Sequence, residues 1–392
     1  MHAYAADDPV FVAMNARAQR EANVGTFCLD CHAPVAVRLG AITAGQSPDT
    51  LDKSLRGVTC YFCHTADGID AEHNGKLHLA GDGVMRGGVR DPVAAPHLSA
   101  YSALHDRDGI ASAPLCGSCH DIVTPGGAAA ATTFTEWKGT IFAHDVPGVR
   151  LSCSSCHMPG TDGAIANVPT APKRQLHGHD MPGVDVALTD FPHADEQRAA
   201  VQANLDPALV VKLCVNPPSA GATVTVSLDN AFVGHGFPSG ASYDRRVWVE
   251  VVATKNGAPL YQSGVVPDGE SPLVNADPDR WIFRTTLTDA AGAETPFQWL
   301  AHGAQPSYVP PAVTNDPMSM AYYHAVTHDY AVPLDADDIK VRVWVTPIDP
   351  ALLKDLVASG DLDPSIVAKM PRFVLAGSVK EWTKPLGFTC VQ

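Results

Sequence analysis

The sequence predicts an α+β chain: a loop-rich N-terminal domain with few helices, followed by an antiparallel β-sandwich. Three observations carry this reading. The motif C-x-x-C-H occurs four times, as Cys28-Leu-Asp-Cys31-His32, Cys60-Tyr-Phe-Cys63-His64, Cys116-Gly-Ser-Cys119-His120 and Cys153-Ser-Ser-Cys156-His157. Residues 65–115 are dense in Gly, Pro, Asp and His and hold no sustained period, so they cannot build an ordinary side-chain core. From about residue 208 onward, short stretches alternate apolar and polar residues with period two, separated by turn residues.

The bulk properties narrow the classes. With 392 residues, 45% apolar and 18% charged, the chain is globular and long enough for about two to three domains. A formal net charge of −15 makes nucleic acid and anionic membrane surfaces poor partners. No run of 18 apolar residues is present, so no membrane span is expected.

C-x-x-C-H is the attachment signature of a c-type haem. Two thiols add across the porphyrin vinyl groups, and the following histidine binds the iron from one face. Zinc would need ligand pairs converging on shared ions and gives no reason for a histidine at every fifth position. Four copies use eight of the ten cysteines, which predicts four covalently bound haem c groups. The attaching residues are Cys28, Cys31, Cys60, Cys63, Cys116, Cys119, Cys153 and Cys156. The proximal iron ligands are His32, His64, His120 and His157. The large flat apolar haem then supplies the core that residues 65–115 lack. The gap between the second and third motifs is the longest, which suggests two haem pairs.

Haem attachment of this kind takes place outside the cytoplasm, so an extracellular or periplasmic location is expected. The chain opens Met1-His-Ala-Tyr-Ala-Ala-Asp-Asp-Pro9 without a basic start or an apolar signal core, and is expected to be a mature or trimmed form. Cys214 and Cys390 remain and suit an oxidising compartment. An intrachain bridge between them would clasp the first and last elements of the second domain; an interchain disulfide or two free thiols are the alternatives.

Taken in order, Phe11, Met14, Ala18 and Ala22 recur at helical spacing after Asp8-Pro9 and predict a helix. Residues 128–137 predict a short helix or turn before the fourth motif. Residues 192–205 read as a helix, and 193–207 as a helical linker between a haem domain (1–192) and a β-sandwich (208–392). The expected strands are 222–228, 247–253, 258–261 after the Asn256-Gly257 turn, 281–287, 339–345 and 373–377. One helix, 350–359, interrupts them and stops at Gly360.

If each iron is six-coordinate, four further ligands are needed. Nine non-motif histidines fall in the N-terminal half: His2, His73, His78, His97, His105, His144, His177, His179 and His193. His2, His73, His97 and His179 are the expected distal ligands. His97 follows Pro96, which restricts its backbone. His78 competes with His73, His105 with His97, and His177 with His179. Met85 and Met181 could serve instead and would raise the potential. His235, between two glycines, reads either as a haem contact or, preferably, as support for the Phe237-Pro238 bend.

Cys153-Ser-Ser-Cys-His-Met-Pro159, preceded by Thr135-Glu-Trp137, resembles the last haem segment of a broad family of bacterial multihaem cytochromes c. Leu115-Cys-Gly-Ser-Cys-His-Asp121 does so too. Val233-Gly-His-Gly-Phe-Pro-Ser-Gly240 and Asp244-Arg-Arg-Val-Trp248 resemble the β-domain that often follows such haems. The resemblance implies bis-histidine haems packed for rapid electron transfer. It implies distal roles for His2, in Met-His-Ala, and for His179, in His-Gly-His-Asp. In relatives a further C-x-x-C-H often precedes the segment matching Met1-His-Ala-Tyr; here it is absent. Some relatives form extracellular filaments in which a terminal histidine ligates a haem of the next subunit, and His2 is placed for that role.

The expected function is therefore electron transfer without chemistry of its own, as a filament subunit and homo-oligomer handing electrons to redox partner proteins or an extracellular acceptor. A discrete periplasmic or surface carrier is the alternative. A haem oxidoreductase acting on a small nitrogen or sulfur compound is a third reading, which needs an open iron position.

Overall fold

In the computed structural model, residues 1–93, 98–144, 146, 148–165, 167–220, 223–274 and 276–392 are described. The chain forms two compact units. One contains Met1–Val123 and Thr132–Gln197, the other Thr124–Ala131 and Arg198–Gln392. The helix Ala194–Leu205 carries the chain from the first into the second.

In the first unit, the expected opening helix spans Pro9–Ala22. Asp8 caps it through a hydrogen bond from Val10 N (2.9 Å), and Pro9 supplies a first-turn residue that needs no amide partner. It ends where Asn23 turns left-handed at φ 46°. All four motifs fold as short helices: Leu29–His32, Cys60–Thr65, Ala113–His120 and Cys153–His157. Helical winding sets cysteines three apart on one side, as a single porphyrin edge requires. Ser152 and Ser155 form a reciprocal capping box on the fourth motif.

Residues 65–115 hold more regular structure than their composition suggested. Ala66–Ile69 pairs antiparallel with Leu77–Leu79, and Met85–Gly87 pairs in parallel with Ser99–Tyr101. Strands of three or four residues are too short to show a period. Apolar side chains in this unit gather in small separate groups. One is built on Phe11, Leu29, Ala36 and Leu51, another on Val35, Phe62 and Leu77, and a third on Ala113, Phe134 and Trp137.

Among the described residues, the second unit contains two larger antiparallel sheets and one two-stranded sheet. In one, Val224–Asp229 lies between Val326–Tyr330 and Val210–Val215, and Cys390–Val391 adds to the far side of Val210–Val215. In the other, Arg246–Lys255 lies between Ala258–Ser263 and Asp338–Thr346. Val224, Val226 and Leu228 are fully buried, as are Val247, Val249 and Val251, so the period-two pattern marks the inward faces. The expected strand 281–287 is broken into Trp281–Phe283 and Thr285–Thr288, which pair with different partners, Arg246–Lys255 and Gly303–Pro306. The expected helix is Pro350–Ala358.

Cys214 and Cys390 form a disulfide. Cys214 was expected ahead of the first strand; it lies within the strand Val210–Val215, directly opposite Cys390. The bridge closes a separation of 176 residues. By the loop-closure argument it contributes about 2–4 kcal/mol.

Candidate haem-binding site

Three of the four motif histidines are held in one orientation by backbone carbonyls. Nδ1 of His32 lies 3.0 Å from Ala5 O, Nδ1 of His64 2.5 Å from Arg86 O, and Nδ1 of His157 2.7 Å from Pro182 O. A carbonyl can only accept, so Nδ1 carries the proton in each case and Nε2 keeps its lone pair for a metal. This is the second-layer device by which proteins fix the tautomer and direction of a metal-binding imidazole. Burial pushes the His32 pKa below its ordinary value, which keeps the ring neutral.

The motif thiols are not alike: the thiols of Cys31 and Cys116 beside them lower Cys119 and Cys153, whereas burial raises others. Burial, then the nearby Asp30, pushes the Cys28 thiol up to about 12. Cys63 is likewise pushed up to about 12 by burial and then by the neighbouring Cys116 and Cys119. Thiols held protonated in this way are poor free nucleophiles.

The third motif is the meeting point. The Cys31 thiol lies beside that of Cys119, and the Cys116 thiol beside that of Cys153. The third motif thus stands next to both the first and the fourth. Residues 70–76 fold back between motifs: Gly75 N donates to Ser118 O (2.6 Å), and a Cβ on Gly75 would lie 3.2 Å from Cys31 Sγ. Gly117, inside the third motif, faces the Phe134 ring so closely that a Cβ would fall 2.3 Å from its Cγ. Asp121, just past His120, accepts from Phe134 N (2.7 Å) and Thr135 N (3.1 Å), locking that ring in place.

Three histidine pairs approach at a telling separation. His2 lies 6.1 Å from His120 between ring centroids, at 78°. His64 lies 6.0 Å from His179 and 5.7 Å from His105. With imidazole–metal bonds of about 2.0 Å on each side, two rings on one iron have centroids about 6 Å apart. His2 is fixed from both sides. Its carbonyl accepts from Val58 N (2.8 Å), and Gly57, at φ 71°, leaves room where a Cβ would sit 2.4 Å from Ala3 O. Tyr4, two residues on, shares a 2.5 Å hydroxyl contact with Thr189 and is fully buried. Burial, reinforced by the proximity of His120, lowers the His2 pKa to about 4, so the ring is neutral at physiological pH.

The other candidates fall out differently. His73 is exposed, and no described contact sets it against a motif histidine. Its neighbour Asn74 does the anchoring, exchanging side-chain hydrogen bonds with the Val123 backbone (2.9 Å each). His97 lies outside the described residues. His78 is exposed and paired with Asp67 at 2.5 Å, His144 is exposed, and His193 pairs with Glu196 at 3.4 Å. His177 ends the strand Lys173–His177, opposite Gly160. In the second unit, His235 turns Nδ1 towards Gly236 O (2.8 Å), while its own carbonyl accepts from Asn230 Nδ2 (2.7 Å), in keeping with the turn reading.

His105 shows that the site suits a prosthetic group. Its Nε2 lies 2.8 Å from Cys63 O, whereas its Nδ1 is buried with no hydrogen-bond partner among the described residues. A buried orphan of this kind normally costs free energy; with Nε2 donating to a carbonyl, Nδ1 keeps its lone pair, and an iron beside it would satisfy it. Arg107, two residues on, was not singled out by any sequence pattern. Its Nε donates to Met158 O (2.8 Å) and Ser154 O (3.2 Å), and its Nη2 to Ser155 O (2.9 Å).

No family model matches the chain, and neither does any curated protein. Among solved structures, it is similar to a penta-heme cytochrome c552 from Thermochromatium tepidum, with a TM-score of 0.60 and 18% identity. The match covers 91% of this chain and 83% of that one. Among the described residues no helix is long and apolar enough to cross a membrane. Four C-x-x-C-H turns, three motif histidines tied through Nδ1 and a fold match spanning both units converge: the chain has the fold of a multihaem cytochrome c.

Proposed function

We propose that the protein is an exported tetrahaem cytochrome that carries electrons through six-coordinate irons and performs no chemistry of its own. The observation that carries this reading is the set of histidine pairs at about 6 Å, His2 with His120 and His64 with His179, each joining a motif histidine to one outside the motifs. Each haem, when bound, supplies an iron that cycles between ferric and ferrous states. The chain supplies the rest. Thiols at positions 28, 31, 60, 63, 116, 119, 153 and 156 anchor the four groups. Backbone carbonyls hold three of the motif imidazoles, and a second imidazole closes the other face against small molecules. For the irons of His32 and His157, the proposal keeps His73 and His97 as partners on the sequence reading alone.

Because His2 faces this chain's own His120, the proposal favours a discrete carrier over a filament built by donating His2 to a neighbour. With a net charge of −15, its redox partners are expected to present basic surfaces. Electron paramagnetic resonance of the oxidised protein distinguishes the readings: only low-spin ferric signals are expected. A stoichiometric high-spin signal would mean an open iron and would turn the assignment towards an oxidoreductase.

A further inference from the structure

We propose that Arg107 is a positioning residue for the fourth motif, and that its fixed charge sets the centre held there at a higher reduction potential. The inference rests on the haem reading of Cys153–His157 given above.

Three features of the geometry point to this role. The guanidinium donates to the carbonyls of Ser154, Ser155 and Met158, all from the Cys153–His157 turn and the residue after it. In return, the Arg107 carbonyl accepts from Ser152 Oγ (2.6 Å) and Ser155 Oγ (3.2 Å). The side chain is largely covered, at 18% exposure, so its charge acts through protein rather than bulk water. An arginine cannot lose its proton under these conditions, and its planar fork matches several carbonyls at once. The carbonyl end of a helical turn is the negative end of its dipoles, and Arg107 offsets it where His157 emerges.

The consequence is electrostatic. Reduction adds one electron and lowers the net charge of an iron centre by one. A cation held nearby favours the reduced form and raises the potential. The charges facing Arg107 are few. Asp108 Oδ1 lies 3.3 Å from Nη1 but is 70% exposed, so solvent screens it. Asp106 is committed elsewhere, to Arg90 (2.9 Å) and Tyr101 (2.8 Å). His105, two residues upstream, bonds Cys63 O of the second motif. The strap 105–107 therefore ties two motifs together while placing its cation on only one.

The test is a potentiometric titration of the full, haem-loaded protein and its Arg107→Gln, Arg107→Lys and Asp108→Asn variants. Peptide mass analysis first establishes whether the Cys153–Cys156 peptide of the unsubstituted protein carries a haem; its absence would fail the underlying reading, not the Arg107 assignment. With that haem present, Arg107→Gln is expected to lower one midpoint and leave the other three in place. Arg107→Lys should restore most of that midpoint, because it keeps the charge while losing the fork. Asp108→Asn, on an exposed side chain, should raise the same midpoint slightly, and less so at high salt. Unchanged midpoints in Arg107→Gln would overturn the proposal. If that variant fails to retain its fourth haem, Arg107→His serves instead: a midpoint that, relative to the unsubstituted protein, does not rise when the imidazole is protonated would overturn the proposal equally.

Discussion

Replacing Gly57 with valine is expected to convert one of the low-spin ferric centres to high-spin. Gly57 sits at φ 71°, a region costly for a β-branched residue, and its missing Cβ leaves space for the backbone of Ala3 and His2 at 2.4 and 2.7 Å. Those atoms are backbone and cannot swing aside. The segment must lift, Val58 N loses the His2 carbonyl, and the His2 ring leaves His120. Strain and overpacking together cost roughly 2–4 kcal/mol. Tyr4 and its hydrogen bond with Thr189 hold the rest of the segment, so the damage should stay local. Paramagnetic resonance checks the outcome: one centre high-spin, the others unchanged. An unchanged spectrum in a folded Gly57→Val protein would remove His2 from the coordination scheme.

The largest loss of stability is expected from Arg246→Ala in the β-unit. Arg246 Nε donates to Asp349 Oδ2 at 2.7 Å, with side chains 6% and 2% exposed, and Nη1 donates to the carbonyls of Tyr243 (2.8 Å) and Arg245 (2.6 Å). Removing the arginine leaves Asp349 as a buried charge without its cation, at a cost of about 3–5 kcal/mol. Asp349 also caps the helix Pro350–Ala358 through Ala351 N (2.9 Å), so that helix should fray with it. Chemical denaturation followed by tryptophan fluorescence reads the loss, while haem content should stay as in the parent protein. A joint replacement, Arg246→Met with Asp349→Asn, should recover much of the stability, because no lone charge remains and the Asn carbonyl oxygen can still cap Ala351 N.

The sequence made the attachment residues legible because that chemistry demands a rigid local pattern: two thiols, fixed spacing and a following imidazole. The inward faces of the long strands were legible for a similar reason, since Val247, Val249 and Val251 repeat with the pleat. The strand Val210–Val215 was missed because its Val-Val start and the half-buried Cys214 put apolar residues on both faces and blur the alternation in sequence. Residues 66–101 form strands too short to carry a period at all. Histidine identity was readable, but partnership was not. His2 meets His120 across more than a hundred residues, and His105 sits as near to His64 as His179 does. The residues that position the motifs were the least visible. Gly57, Asn74 and Arg107 act through hydrogen bonds to backbone atoms, or through space left open for them, and neither leaves a mark in local sequence.

The central claim is that each of the four C-x-x-C-H turns holds its own covalent haem. Intact mass under denaturing conditions, on protein exported by a host able to mature c-type cytochromes, tests it most directly. The account expects the mass of the chain plus four haem groups, with a haem on each of the four motif peptides after digestion. Three or fewer haems on the homogeneous, fully matured protein, or a motif peptide recovered with free thiols, would contradict it.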